Sequence, residues 1–148
     1  ILNNGPYPPR VNQPTQYTVH WRVVNYATDV NNVHLSAYLQ SGARFTGAVK
    51  STAETQPVYN PNSGLVTWDI PFIPATKGFI SPPAEAIFQV EVTPSSNQVD
   101  SSVTFLGEAT ITWTDSFVGQ TGQATALELD TSVMNDKTIS EGDRRVKP

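Results

Sequence analysis

The sequence predicts an all-β fold: an immunoglobulin-like antiparallel β-sandwich of seven to nine short strands. Three observations predict it. Helical spacing is nearly absent, because no long stretch repeats apolar residues at i, i+3, i+4 and i+7. The 12 prolines and 9 glycines are spread along the 148 residues and cut the chain into short pieces. The pieces between them are rich in β-branched and aromatic residues and alternate with period 2, the pattern of two packed antiparallel sheets.

The opening Ile1–Pro14 is rich in Pro and Asn and reads as extended, with an edge strand near Pro9–Val11, since proline suits sheet edges. Gln16–Asn25 is the clearest strand. Tyr17, Val19, Trp21 and Val23 share one face, and Thr18, His20, Arg22 and Val24 share the other. Asn25–Asn32 is a turn. Val33–Leu39 alternates again with Val33, Leu35, Ala37 and Leu39 inward, and Ser41-Gly42 turns the chain towards Phe45. Lys50–Pro57 reads as a polar loop or irregular edge. In Asn60-Pro61-Asn62-Ser63-Gly64, Pro presets φ and Asn or Gly accepts positive φ, which makes a tight turn into Leu65–Ile70. Pro71–Pro83 reads as a long loop. Ala86–Thr93 is a strand with Ala86, Phe88, Val90 and Val92 inward, and Pro94–Ser102 is a polar turn. Val103–Phe105 and Glu108–Thr114 follow, then a turn at Gly119–Gly122 and a last strand at Ala124–Thr131. Residues 1–134 therefore read as a single sandwich domain, and 135–148 as a polar linker or C-terminal tail.

Composition excludes several function classes. The net charge is −4 and only 15% of residues are charged, so there is no clustered basic face for nucleic acid. There is no cysteine, which excludes disulfides, thiolate metal sites and cysteine nucleophiles. No apolar run reaches the roughly 18 residues of a membrane helix, so no membrane insertion by this segment is expected. The chain opens at Ile1 without a signal peptide, and the expectation is a segment of a larger exported protein.

Candidate sites weigh little against packing roles. Trp21, Trp68 and Trp113 share faces with Val, Ile or Ala and read as core. Tyr7, Tyr26, Tyr38 and Phe79 are the aromatics expected outside. His20 and His34 are the only imidazoles and both fall on solvent faces, without a third ligand at metal-site spacing. Asp29, Asp100, Asp115 and Asp130 lie near strand ends, where calcium binds some sandwiches, yet no loop carries a ladder of acidic ligands. No nucleophile elbow or phosphate-cradling glycine loop occurs. No Lys lies on the strong strands, which speaks against a Lys–Asn isopeptide crosslink. Arg22 and Glu91, the charged outer residues of two strands, pair if those strands are neighbours. The expectation is no catalytic residue, no metal site and no cofactor.

Four stretches resemble one known family. Tyr17-Thr18-Val19-His20-Trp21-Arg22-Val23-Val24-Asn25 resembles the opening strand of the bacterial conserved-repeat domain, domain of unknown function eleven. Asn32–Leu39 with Gln40-Ser41-Gly42-Ala43-Arg44-Phe45 resembles its next strand and turn. Tyr59 through Gly64-Leu65-Val66-Thr67-Trp68-Asp69-Ile70 resembles its hairpin, and Phe88-Gln89-Val90-Glu91-Val92 its closing strand. The match spans 14–94. Gln40 stands where the family favours Pro, Pro71 stands where it favours Gly, and 103–131 adds a hairpin beyond the usual repeat. The resemblance implies an immunoglobulin-like module on an exported prokaryotic surface protein. Its expected role is that of a non-catalytic spacer or stalk whose partners are neighbouring domains of the same chain. A glycan- or protein-binding adhesion module, with Pro71–Pro83 as a contact loop, and a strand-exchanging filament subunit are the rival expectations. A spacer further implies that the chain's two ends leave from opposite poles.

Overall fold

The computed structural model of the chain describes residues 1–78, 80–132 and 145–148. Ten strands lie in them: β1 (Thr15–Val23), β2 (Val30–Tyr38), β3 (Ala43–Ser51), β4 (Val58–Asn60), β5 (Leu65–Ile73), β6 (Ala84–Val92), β7 (Thr104–Leu106), β8 (Ala109–Asp115), β9 (Thr121–Ala126) and β10 (Leu129–Asp130). One sheet has the order β1-β6-β3 and a larger one the order β4-β5-β2-β8-β9, while β7 and β10 form a two-stranded ribbon. Every ladder is antiparallel. The fold is the expected sandwich, with ten strands rather than seven to nine, because the short β4, β7 and β10 each stand as separate elements. No helix among the described residues is long and apolar enough to cross a membrane.

The period-2 rows become the core. On β1, Tyr17, Val19, Trp21 and Val23 are buried; on β2, Val33, Leu35 and Ala37; on β5, Val66, Trp68 and Ile70; on β6, Ala86, Phe88, Val90 and Val92. Trp68 is 0% exposed, and its indole N–H donates to the Thr55 carbonyl at 3.2 Å, so the one polar atom of the ring is satisfied. Trp21 meets Phe88 edge-on at 5.0 Å.

Four stretches differ from the sequence reading. The chain from Ala43 to Ser51 is a full strand, with Lys50 exposed near its end. Its alternation is hidden by a bulge between Phe45 and Val49, where Gly47 takes φ 94°. A strand therefore does carry a lysine. β5 runs on through Pro71 to Ile73, since three-residue β4 leaves the far edge of β5 open there and a missing N–H costs no ladder bond. The expected strand over 124–131 is split, with β9 pairing to β8 and β10 pairing to β7. Arg22 and Glu91 do not pair. β1 and β6 are neighbours, but their register sets Arg22 opposite Glu85, at 3.3 Å, and Glu91 opposite Gln16, with Arg44 of β3 taking Glu91 at 3.0 Å.

Of the expected polar tail, residues 133–144 lie outside the described ones. Arg145–Pro148 belong to the sandwich. Val146 is fully buried in the core, and its amide donates to the Ser101 carbonyl at 2.9 Å. Lys147 forms a parallel bridge with Arg10: the Lys147 amide donates to Pro9 at 2.8 Å, and the Val11 amide donates to Lys147 at 3.0 Å. The expected edge strand near Pro9–Val11 is this bridge. It places Pro148 beside the N-terminal segment, not at the opposite end from it.

The antiparallel order sorts the connections onto two poles. Loops 24–29, 74–83 and 116–120 share one pole. Turns 39–42 and 61–64, segment 93–103 and the 9–11/146–147 pairing lie at the other.

Candidate functional site

The pole formed by 24–29, 74–83 and 116–120 carries the features that core packing does not explain. Its floor is a hydrogen-bonded frame. The Asn25 side-chain amide donates to the carbonyls of Thr28 at 2.6 Å, Ile73 at 3.2 Å and Pro74 at 3.2 Å, and the Asn25 backbone amide donates to Lys77 at 2.8 Å. Asp29 accepts the Ala75 amide at 2.7 Å, and its carbonyl accepts the Ser116 amide at 3.0 Å. Asp115 accepts the Thr28 hydroxyl at 2.8 Å and the Phe117 amide at 2.8 Å. Asn and Asp bind neighbouring backbone well in turns, which is why these residue types recur here. Gly78 takes φ 90°, and a Cβ there would lie 2.9 Å from a Val24 methyl, so only glycine lets the 74–83 loop close onto the end of β1.

Above that frame the surface is apolar. Ile80 is 80% and Phe117 87% exposed, and Tyr26, Val118, Phe72 and Val24 are also exposed at this end. These six are half of the twelve exposed large hydrophobics among the described residues. Exposed apolar side chains gathered at one end of a fold are the place to look for a contact surface, whereas single ones are ordinary. The Thr28 hydroxyl, followed by the Phe117 amide, holds the Asp115 carboxyl below its ordinary pKa.

The structure sorts the sequence candidates. Tyr26 and the 71–83 region reach this pole, as do Asp29 and Asp115, whose carboxylates are engaged by loop donors. Asp100 lies at the far pole, where its amide donates to Val146 at 2.9 Å. Asp130 is also away from the loop pole and accepts the Ser132 amide at 2.9 Å. Among the described residues no three His, Cys, Asp or Glu side chains converge on a metal position. Tyr7 leans on Tyr17 and donates its hydroxyl to the Thr131 carbonyl at 3.1 Å. Tyr38 is exposed at the end of β2. Phe79 lies outside the described residues. His20 and His34 sit on different sheets, near Glu85 at 3.9 Å and Asp69 at 2.5 Å. Trp21 and Trp68 are core, and Trp113 is half-buried over Gly122 of the next strand, whose Cβ would come within 2.4 Å of its ring. Sequence reasoning missed Ile80, Phe72, Phe117 and Val118. The available signal was Phe117-Val118 standing inside a turn, between Asp115 and Gly119, where polar residues are the norm.

A second feature lies on the flank. A groove of about 310 Å³ opens between β1 and the β8–β9 pair, lined by Trp21, Val23, Leu35, Ile111 and Ala126 among others. It exists because the five-stranded sheet overhangs the three-stranded one.

No protein-family model matches the chain, and no curated protein matches it in sequence. Solved structures do. The major pilin subunit BcpA of Bacillus cereus superposes with a TM-score of 0.51 at 10% identity, over 82% of this chain and 36% of that one. The full-length major pilin SpaD of Corynebacterium diphtheriae superposes with a TM-score of 0.52 at 11% identity, over 83% of this chain and 32% of that one. The chain thus spans about a third of each. At such identity the likeness is one of fold.

Proposed function

We propose that this chain is a non-catalytic structural module of an exported prokaryotic surface protein, and that its loop pole packs end-on against a neighbouring domain or subunit. The observation that carries the reading is the apolar cluster of Tyr26, Phe72, Ile80, Phe117 and Val118 on a rigid hydrogen-bonded floor. Exposed apolar area of this kind is stabilised by a protein partner. The fold shared with two pilin subunits supports the reading, as do the four stretches resembling the conserved-repeat domain. A glycan partner fits less well, because sugar sites set outward polar groups beside their aromatic platforms. Here Asp29 and Asp115 are occupied by the loops themselves.

The absence of cysteine provides a clean test. Phe117→Cys introduces a single thiol at the pole. It should react rapidly with a maleimide in the isolated domain and be protected in the intact surface protein. Equal labelling in both would remove the end-on contact.

A further inference from the structure

The groove beside β1 has the form of a missing strand. The Gln16 amide turns away from β6 and donates to the Asn4 carbonyl at 2.8 Å. Antiparallel alternation then aims the N–H and C=O groups of Thr18, His20 and Arg22 the same way, along the free edge of β1. None of them has a backbone partner among the described residues. Among the described residues, one side of the opening is therefore a row of unpaired backbone groups. The other is the inner face of β8 and β9, where Ile111 is half-buried and Ala126 exposed. An added strand would satisfy the first and cover the second.

The chain contains a segment suited to this place. Ile1–Asn4 already meets the start of the same edge at Gln16, where the Asn4 amide also donates to the Gln16 side-chain carbonyl at 2.9 Å. It then turns onto the outer face of the sheet, where the Gln89 side chain donates to the Leu2 carbonyl at 2.9 Å. Its apolar side chains find no core there: Leu2 is 90% exposed. The segment carries no charged side chain.

We infer that the groove between β1 and β8–β9 receives the Ile1–Asn4 segment of a second copy of this chain, paired to the free edge of β1 with Leu2 set against Ile111 and Ala126. The contact is heterologous, since segment and groove are different surfaces, and repeating it yields a chain of copies rather than a closed dimer. It uses the flank and not the loop pole, so it stands apart from the end-on contact proposed above.

The test is sedimentation of two exposed-site variants, each checked for an unchanged melting temperature. Leu2→Asp spoils the segment and leaves the groove; Ala126→Arg fills the groove and leaves the segment. Wild-type protein should associate progressively with concentration, and each variant alone should lose that association by tenfold or more. An equimolar mixture should form one-to-one pairs and nothing larger, because one good segment meets one good groove. A wild type that stays monomeric at millimolar concentration overturns the inference. So does association that persists in both variants, or a mixture that yields no pairs.

Discussion

The two halves of the larger sheet are packed very differently. β5 and β2 lie directly under the smaller sheet, and the residues they turn inward, Trp68, Val66 and Val33 among them, are almost wholly buried. β8 and β9 project beyond it, and there Trp113 and Ile111 are only half-buried and most of β9 is exposed. Both halves follow the same period-2 pattern. The difference lies in what stands opposite: three strands cannot cover five. A tryptophan's position in an alternating row thus tells which face it is on, while its worth depends on the facing layer.

The comparison breaks most directly at its two tryptophans. Trp68→Ala should cost about 3–5 kcal/mol, because it empties a site closed on every side. Trp113→Ala should cost about 1–2 kcal/mol, in proportion to the smaller apolar area it buries. Denaturant titration of both variants checks this, and equal costs would abolish the distinction between the covered and overhanging halves.

A smaller effect of opposite sign is expected in the three-stranded sheet that does the covering. Tyr17 stacks on Phe105 at 5.1 Å, and its hydroxyl is buried without a hydrogen-bond partner among the described residues. Burial, with lesser contributions from Tyr7 and Asp130, pushes its phenol well above the ordinary pKa. Tyr17→Phe keeps the stack and deletes the unpaired group, so it should raise stability by about 1 kcal/mol. A loss of stability would mean that the hydroxyl has a partner in solution.

The smallest effect belongs to the surface. Asp115 has a folded-state pKa held below its ordinary value, so its contribution is present above the usual carboxylate range and fades as pH falls through the depressed value. Protection of the Phe117 amide, taken relative to its intrinsic exchange rate at each pH, should fall over that acid interval, with the core amides unaffected. Asp115→Asn should remove the pH step. A step that survives the substitution assigns it to another carboxyl.

Much of the fold was legible because long, uninterrupted alternation fixes both strand and face. β1 and β6 follow the expected rows, and β2 does so over Val33–Ala37, although it begins at Val30, inside the stretch that reads as a turn, and stops before Leu39. β3 was not legible, because Gly47 interrupts the apolar row between the inward Phe45 and Val49, and the bulge there leaves the glycine exposed. Register was not legible either: the charged outer residues of β1 and β6 could be seen, but not that Arg22 falls opposite Glu85. Of the loop pole, Tyr26 and the Pro71–Pro83 loop were legible, but not that Phe117 and Val118 join them, because these side chains come from segments far apart in sequence. The groove escaped because it depends on a mismatch in strand number between two sheets, which no local pattern records.

Val146 looks like a lone apolar residue in a charged stretch, yet it completes the core, and its neighbour Lys147 is laced to Pro9 and Val11. That joins the two most distant parts of the chain. A protein emerging with its N-terminus first can form β1 through β9 while this place stays vacant. It can close it only once residues 145–148 have been synthesised. Within this module that closure is long-range, slow on entropic grounds and late by order of synthesis. Until it happens, the Pro9–Val11 segment is held on one side only.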